Sequence, residues 1–240
     1  MFARTDSLPQ LLVDASAHPC PYLLDRTAIL PMRLPLRRLT PAEMDERLQR
    51  GDRRQGVLLY RPECPTCNDC TPIRLDIGTF VASKTMLRAW RVGGRRLTVA
   101  LDRPQVNADR VELYNRHRRL RDLDQGDGEV SAGEYGSFLV DSCCDSWELS
   151  YREEGRLVGI AIFDRAATSL SAVYCCYDPS VAGLSLGVFS VLQQVELCRQ
   201  WQLRWLYLGY WVSNCRAMRY KATYLPHELL RDGQWQSKVP

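Results

Sequence analysis

The run from Ser169 to Leu225 leaves few folds open, because it reads as strand, helix, strand with no room for a long loop. Ser169–Tyr177 alternates small residues with aromatic and β-branched ones, as a strand does. Asp178-Pro179 stops it, since proline has no N–H for a ladder and restricts the residue before it. Ser185 is placed to cap a helix on which Val188, Val191, Leu192, Val195 and Cys198 share a face, with Gln193, Gln194, Glu196, Arg199 and Gln200 covering the rest. Trp205–Tyr210 is a second apolar strand, so the unit is β-α-β with a right-handed crossover. Gly183 and Gly187 lie where the first strand feeds the helix, beside N–H groups that attract anions. Ligands of open sheets bind beyond the carboxyl ends of such strands, where Tyr177, Asp178 and Tyr210 fall.

The chain divides into an amino-terminal module over residues 1–80 and a larger domain over residues 81–240 that contains this unit. In the first, Thr40-Pro41-Ala42-Glu43 is a capping box with proline at the first helical position, and Gly51 closes that helix. Val57–Tyr60 and Ile73–Ile77 are short strands flanking Cys64-x-x-Cys67-x-x-Cys70. Two-residue spacing lets three thiols share one soft metal, zinc or an iron–sulfur cluster, and so small a core would gain from such a staple. Reduced, unligated thiols are the alternative. In the second, the basic segment Lys84–Gly94 ends in a Gly-Gly turn, followed by a strand at Arg96–Leu101, a helix at Val106–Leu123 and a polar loop at Asp124–Gly136. Strands at Trp147–Arg152, Leu157–Phe163 and Leu170–Tyr177 then form an antiparallel meander. The adjacent pairs Cys143-Cys144 and Cys175-Cys176 read as small core residues in strand-like contexts.

Composition narrows the function. No stretch reaches the about 18 apolar residues of a membrane span, and the start lacks a secretory apolar core, so the expectation is a cytoplasmic protein with no membrane partner. Ten cysteines in that compartment point to metal or buried thiols before disulfides. Lysine occurs only at Lys84, Lys221 and Lys238, so 29 of the 32 basic residues are arginine. Arginines cluster in two stretches, 84–96 and 110–121, as an RNA-backbone surface or as a solvated helix face. No nucleophile elbow and no Ser-His-Asp or Cys-His set is evident.

Taken together, Tyr177-Asp178-Pro179, Leu184–Val188, Tyr207–Trp211, Cys215 and Met218–Ala222 resemble the carboxyl-terminal half of the arginyl-tRNA–protein transferase family. Cys20-Pro21-Tyr22, Arg61-Pro62 and the cysteine cluster resemble its bacterial branch, the aspartate/glutamate leucyltransferases. The resemblance implies an α+β, GNAT-like acyltransferase fold, in which the meander leads into the β-α-β unit. It implies transfer of leucine from leucyl-tRNA to acceptor proteins with amino-terminal Asp or Glu, marking them for degradation, with arginine as the alternative donor residue. It also adds Cys20 as the fourth metal ligand, although Leu23 stands where eukaryotic relatives carry a second cysteine.

The donor ester is already activated, so aminolysis needs a neutral amine, placement and oxyanion stabilisation rather than a covalent intermediate. On this resemblance Asp178 holds or deprotonates the amine, Tyr177 and Tyr210 donate to the oxyanion or stack on the terminal adenosine, and Lys221 meets a phosphate or the acceptor's acidic side chain. Tyr22, Tyr220, Ser185 and Gly187 are substrate-binding candidates, and Arg61, Arg74 and Arg88 are candidates for reading the acceptor carboxylate. The loop Val181–Gly187 lacks the basic lead residue and glycine spacing of a CoA-binding loop, so no CoA is expected. An acetyl-CoA-dependent acetyltransferase and a nonenzymatic, metal-stapled RNA-binding module are the competing readings.

Overall fold

A computed structural model describes residues 9–123, 128–181 and 183–238. The amino-terminal part carries β1 (Gln10–Asp14), β2 (Ala17–Pro19), β3 (Thr27–Ile29) and β4 (Met32–Pro35), then α1 (Pro41–Gln49), β5 (Arg53–Gln55), β6 (Leu58–Tyr60) and β7 (Thr71–Asp76). There follow α2 (Lys84–Arg96), β8 (Leu97–Asp102), α3 (Ala108–Leu120) and α4 (Ala132–Tyr135), which continues into a π-turn at Gly136–Val140. The carboxyl-terminal part carries β9 (Asp145–Glu153), β10 (Arg156–Arg165), β11 (Ser169–Tyr177), α5 (Leu186–Gln200), β12 (Trp205–Trp211), α6 (Arg216–Arg219), a 3-10 turn at Tyr220–Thr223, β13 (His227–Arg231) and β14 (Gln234–Lys238).

The expected capping box forms: the Thr40 hydroxyl accepts from the Glu43 N–H, and the Glu43 carboxylate accepts from the Thr40 N–H at 2.8 Å. Gly51 leaves the helix with φ +87°, as a residue closing a helix must when it turns left-handed. Strands β1, β4, β6 and β5 form a small sheet, and β2 pairs with β3. The large sheet runs β14-β13-β7-β12-β11-β10-β9-β8, and within it β11 and β12 are the parallel pair. The meander β8–β11 and the β11-α5-β12 crossover are thus both present, which is the GNAT-like arrangement. Strand β7, expected to close the first module, instead lies between β12 and β13 in the large sheet. The boundary near residue 80 therefore divides the sequence but not the sheet.

Alternation on β12 sends Leu206 and Leu208 into the main core with Phe189, Leu192 and Val195 of α5, while Trp205 and Tyr207 join Met44 and Leu48 of α1. On β11, Cys175 faces the α5 core and Cys176 the α3 core, as neighbours on a strand should. Four local expectations change. Helix α2 runs through Gly93-Gly94 rather than turning there, because Gly93 is where α2 meets α5: an added Cβ would lie 2.3 Å from Phe189 Cδ2. Gln194 is buried, because α5 is covered on most of its circumference. Cys143-Cys144 sits in a bend ahead of β9, where the Cys143 carbonyl accepts from the Leu39 N–H. The segment expected as a loop over 124–136 contains α4, and its residues 124–127 lie outside the described residues.

Candidate active site

Strands β11 and β12 pair only at Ser169–Trp205, Leu170–Leu206 and Ser171–Tyr207, and then separate. Each carries an irregularity at the point of separation. On β11, Val173 is skipped between the pairs Ala172–Phe163 and Tyr174–Ile162; on β12, Leu208 is skipped between Tyr207–Arg74 and Gly209–Ile73. Such bulges bend a strand out of its ladder, so the sequence builds the opening by putting one in each wall. Gly209 takes φ +85°, open to glycine at no steric cost.

Arg53 of β5 occupies the opening. Its guanidinium donates to Ser171 Oγ at 2.7 Å and to the Ala172 carbonyl, which the separating strands would otherwise leave unpaired. A side chain at Gly209 would press on it, with an added Cβ 3.3 Å from the Arg53 Cζ. Beyond Arg53, the buried Tyr210 donates its hydroxyl to the Gly51 carbonyl at 2.8 Å, with its ring edge-on to Tyr60. The Lys221 ammonium donates to the Tyr210 carbonyl at 2.8 Å and faces the Met218 sulfur at 3.5 Å. Burial, then the neighbouring positive charge of Arg53, pushes the Lys221 amine down to about 7. Burial likewise holds the hydroxyls of Tyr22 and Tyr210 well above their ordinary range, with Tyr60 and Arg53 in electrostatic reach of both.

Next to this cluster is a cavity of about 640 Å³. Cys20, Cys64, Cys67 and Cys70 all line it, together with Tyr22 and Trp211. The four candidate ligands are thus brought to one cavity, although among the described residues no three His, Cys, Asp or Glu side chains are gathered tightly enough to hold a metal. The donor set suits a soft cation. Burial, then the nearness of Cys20, Cys64 and Cys67, pushes the Cys70 thiol up to about 12, and a bound divalent cation is what would relieve four thiolates in such company.

The end of β11 forms the other wall. Asp178 is buried, with one oxygen accepting from the Ser180 N–H and hydroxyl and the other from Arg116 at 3.1 Å and Arg156 at 3.0 Å. Burial alone would raise its carboxyl, but the Ser180 and Arg116 bonds hold it below the usual carboxylate range. Tyr177 receives a hydrogen bond from Arg121 on its hydroxyl, and its backbone meets His117 Nδ1. Gly187 lies beside that ring, an added Cβ falling in ordinary contact at 3.7 Å from Tyr177 Cε1. Ser185 stands at the head of α5, exposed, without the side-chain cap its type suggested. Tyr220 is half-exposed, packs edge-on to Tyr224, precedes Lys221 in the chain and lies within electrostatic reach of Tyr177 and Arg121.

Several expected roles do not survive this geometry. Asp178 is an anchor for two arginines rather than a base, because its lone pairs are already engaged. The Tyr210 hydroxyl is given to Gly51 and so does not face an oxyanion. Arg74 is buried between the Trp205 and Trp235 rings at 3.5 and 4.2 Å, paired with Glu228 at 2.7 Å, and so cannot read a carboxylate. Arg61 donates to the Arg50 carbonyl and lies near Asp52 and Glu63, on the small sheet. Lys221 is buried rather than on the surface. Arg88 is exposed on α2. Of the second arginine stretch, Arg110 is buried against Glu148 and Arg116 is held by Asp178 and Glu112, so the stretch is not a uniformly free cationic face. Arg53 was missed, since its partners lie 118 and 119 residues away. The one signal was Gly209, since a glycine inside a strand marks a bulge or a close approach.

The family models for the arginine-tRNA-protein transferase N terminus and C terminus match residues 18–88 and 109–231. The chain belongs to the arginine-tRNA-protein transferase family. It is 36% identical over 224 residues to the aspartate/glutamate leucyltransferase of Chromobacterium violaceum, covering 92% of this chain and 90% of that one. It is 35% identical over 219 residues to the enzyme of the same name from Acinetobacter baumannii, covering 91% and 81%. Among solved structures, L-PGS from Bacillus licheniformis (13% identity, TM-score 0.43, 70% of this chain and 49% of that) and FemX (6%, 0.44, 76% and 63%) overlap in part. At those scores the likeness carries no argument, and the assignment to the GNAT-like fold rests on the meander, the crossover and the parted strands of this family member.

Proposed function

We propose that the protein transfers leucine from leucyl-tRNA to the α-amine of acceptor proteins that begin with Asp or Glu. The observation that carries this is the 36% identity with an aspartate/glutamate leucyltransferase across 92% of the chain. The site agrees with the chemistry. An ester donor is already activated and requires no covalent intermediate on the protein. A free α-amine, with a pKa of roughly 7.7–8.0, is partly neutral at pH 7 and can attack once it is held beside the ester carbonyl. Tyr177, Tyr220 and the head of α5 form the wall suited to the nucleotide end of the donor. The cysteine-lined cavity beside Lys221 and Trp211 is suited to the acceptor terminus. Arg53 already takes the first free carbonyl of the gap, which an extended CoA arm would otherwise use.

The test is transfer from a mixed pool of charged tRNAs to peptides beginning with Asp, Glu, Lys or Ala. Leucine should appear on the Asp and Glu peptides alone. Arginine transfer would overturn the donor assignment; acetyl transfer from acetyl-CoA, or tRNA binding without any transfer, would overturn the reaction. In the same reading Cys20, Cys64, Cys67 and Cys70 hold a zinc ion or iron–sulfur cluster that staples the amino-terminal module. Elemental analysis should then find one metal centre per chain, lost in the Cys67→Ser variant.

A further inference from the structure

Lys221 is a buried amine placed among groups that do not neutralise it. Among the described residues it makes no ion pair, and its hydrogen-bond partners are one carbonyl and one thioether, neither of which carries a charge. The groups in electrostatic reach from the elements around it are Arg53 of β5, which opposes its charge, and the Cys215 and Cys70 thiols, which favour it only if ionised. A buried ammonium without a carboxylate and beside a guanidinium sheds its proton readily. It sits between the gap in the sheet and the cysteine-lined cavity, where the two substrates would meet. Asp178, the carboxylate at the end of β11, is already engaged by Ser180, Arg116 and Arg156.

Resting on the aminoacyl-transfer reading above, we infer that Lys221 is the proton carrier of the aminolysis and that Arg53 is the positioning residue that prepares it. The neutral α-nitrogen attacks the ester carbonyl carbon, forming the C–N bond and leaving the nitrogen positively charged. That nitrogen passes its proton to Lys221 Nζ. The C–O bond then breaks, the electron pair goes to the ribose oxygen, and Lys221 returns the proton to it. Amide and free ribose hydroxyl are formed, and the lysine ends as it began. Its tether to the Tyr210 carbonyl fixes the amine at the end of β12, and the spare lone pair of an uncharged amine is what accepts.

Because the chain has three lysines, Lys84, Lys221 and Lys238, a protein labelled with ¹³C at lysine Cε gives one resonance for each. In the unsubstituted protein, the resonance that is absent in Lys221→Met should titrate near neutrality, well below the ordinary lysine value of about 10.4. In Arg53→Met that midpoint should rise. Single-turnover transfer by Lys221→Met should fall by about 10²–10⁴-fold, the range for a lost general acid–base group, with binding of the charged tRNA retained. Lys221→Arg, which keeps the charge but cannot shuttle a proton, should be equally slow. A Lys221 resonance that titrates near the ordinary lysine value of about 10.4, or Lys221→Met transferring at the parent rate, overturns the inference. The titration needs no turnover, so it stands or falls apart from the identity of the amino acid moved.

Discussion

The Asp178 side chain shows how one carboxylate can look catalytic in sequence and be structural in the fold. Its position at the end of a strand beside a cleft is what an active-site acid would have, yet four donors saturate it. Its carboxyl is held below the unfolded value, so it contributes stability that is present above about pH 4 and lost as pH falls through its folded value. Asp178→Asn should therefore cost about 1–3 kcal/mol at pH 7, the range for lost charge-assisted bonds, and clearly less at pH 3. Urea unfolding at the two pH values checks this. An equal loss at both would mean that packing, not charge, is what Asp178 supplies. The candidate site was legible where residues share one strand–helix–strand unit, as Tyr177, Gly187, Tyr210 and Lys221 do. What each polar atom bonds to was not legible. Nothing near Tyr210 in the chain announces the Gly51 carbonyl, and nothing near Arg74 announces the two tryptophan rings that flank it.

Among the elements, α2 is the most instructive. Its sequence pattern favours a stop at Gly93-Gly94, since two glycines cost a helix about 1 kcal/mol each relative to alanine. Tertiary packing overrides that preference, because α2 and α5 can approach closely only where α2 lacks a side chain. The two glycines should accordingly respond in opposite directions. Gly94 has open space around it, so Gly94→Ala should stabilise by about 0.5–1 kcal/mol. Gly93→Ala should destabilise by about 1–3 kcal/mol, the range for overpacking, because its new methyl meets the Phe189 ring. Thermal unfolding of the two variants side by side decides it, and stabilisation by both would mean that α2 and α5 can slide apart freely. The strands and helices of the meander and crossover were readable from periodicity because each buries a regular face. The place of β7 was not, since a strand of six residues looks the same at a module's edge and at a sheet's centre.

Across the whole molecule, the two halves of the chain are joined through buried charge as well as through β7. Arg54 Nε donates to Asp164 at 2.8 Å with both side chains fully buried, and Ser146 donates to the same carboxylate. Asp45 of α1 accepts from the Thr168 N–H and the Ser169 hydroxyl at the turn that starts β11. Removing one partner of a buried pair leaves the other charge uncompensated, at about 3–5 kcal/mol. Asp164→Asn should lower stability by that amount, and calorimetry should still show a single transition, since the same residues hold both halves. Two separate transitions would show the halves to be independent.

The short turn that follows α1 supplies Gly51 to the Tyr210 hydroxyl and Arg53 to the Ala172 carbonyl, one grip on each wall of the gap. The two walls of the gap therefore cannot be separated along the boundary between the two sequence blocks. A hybrid joining the first block of one relative to the second block of another would leave a mismatched wedge between the strands, unless residues 51–54 travelled with the sheet they hold apart.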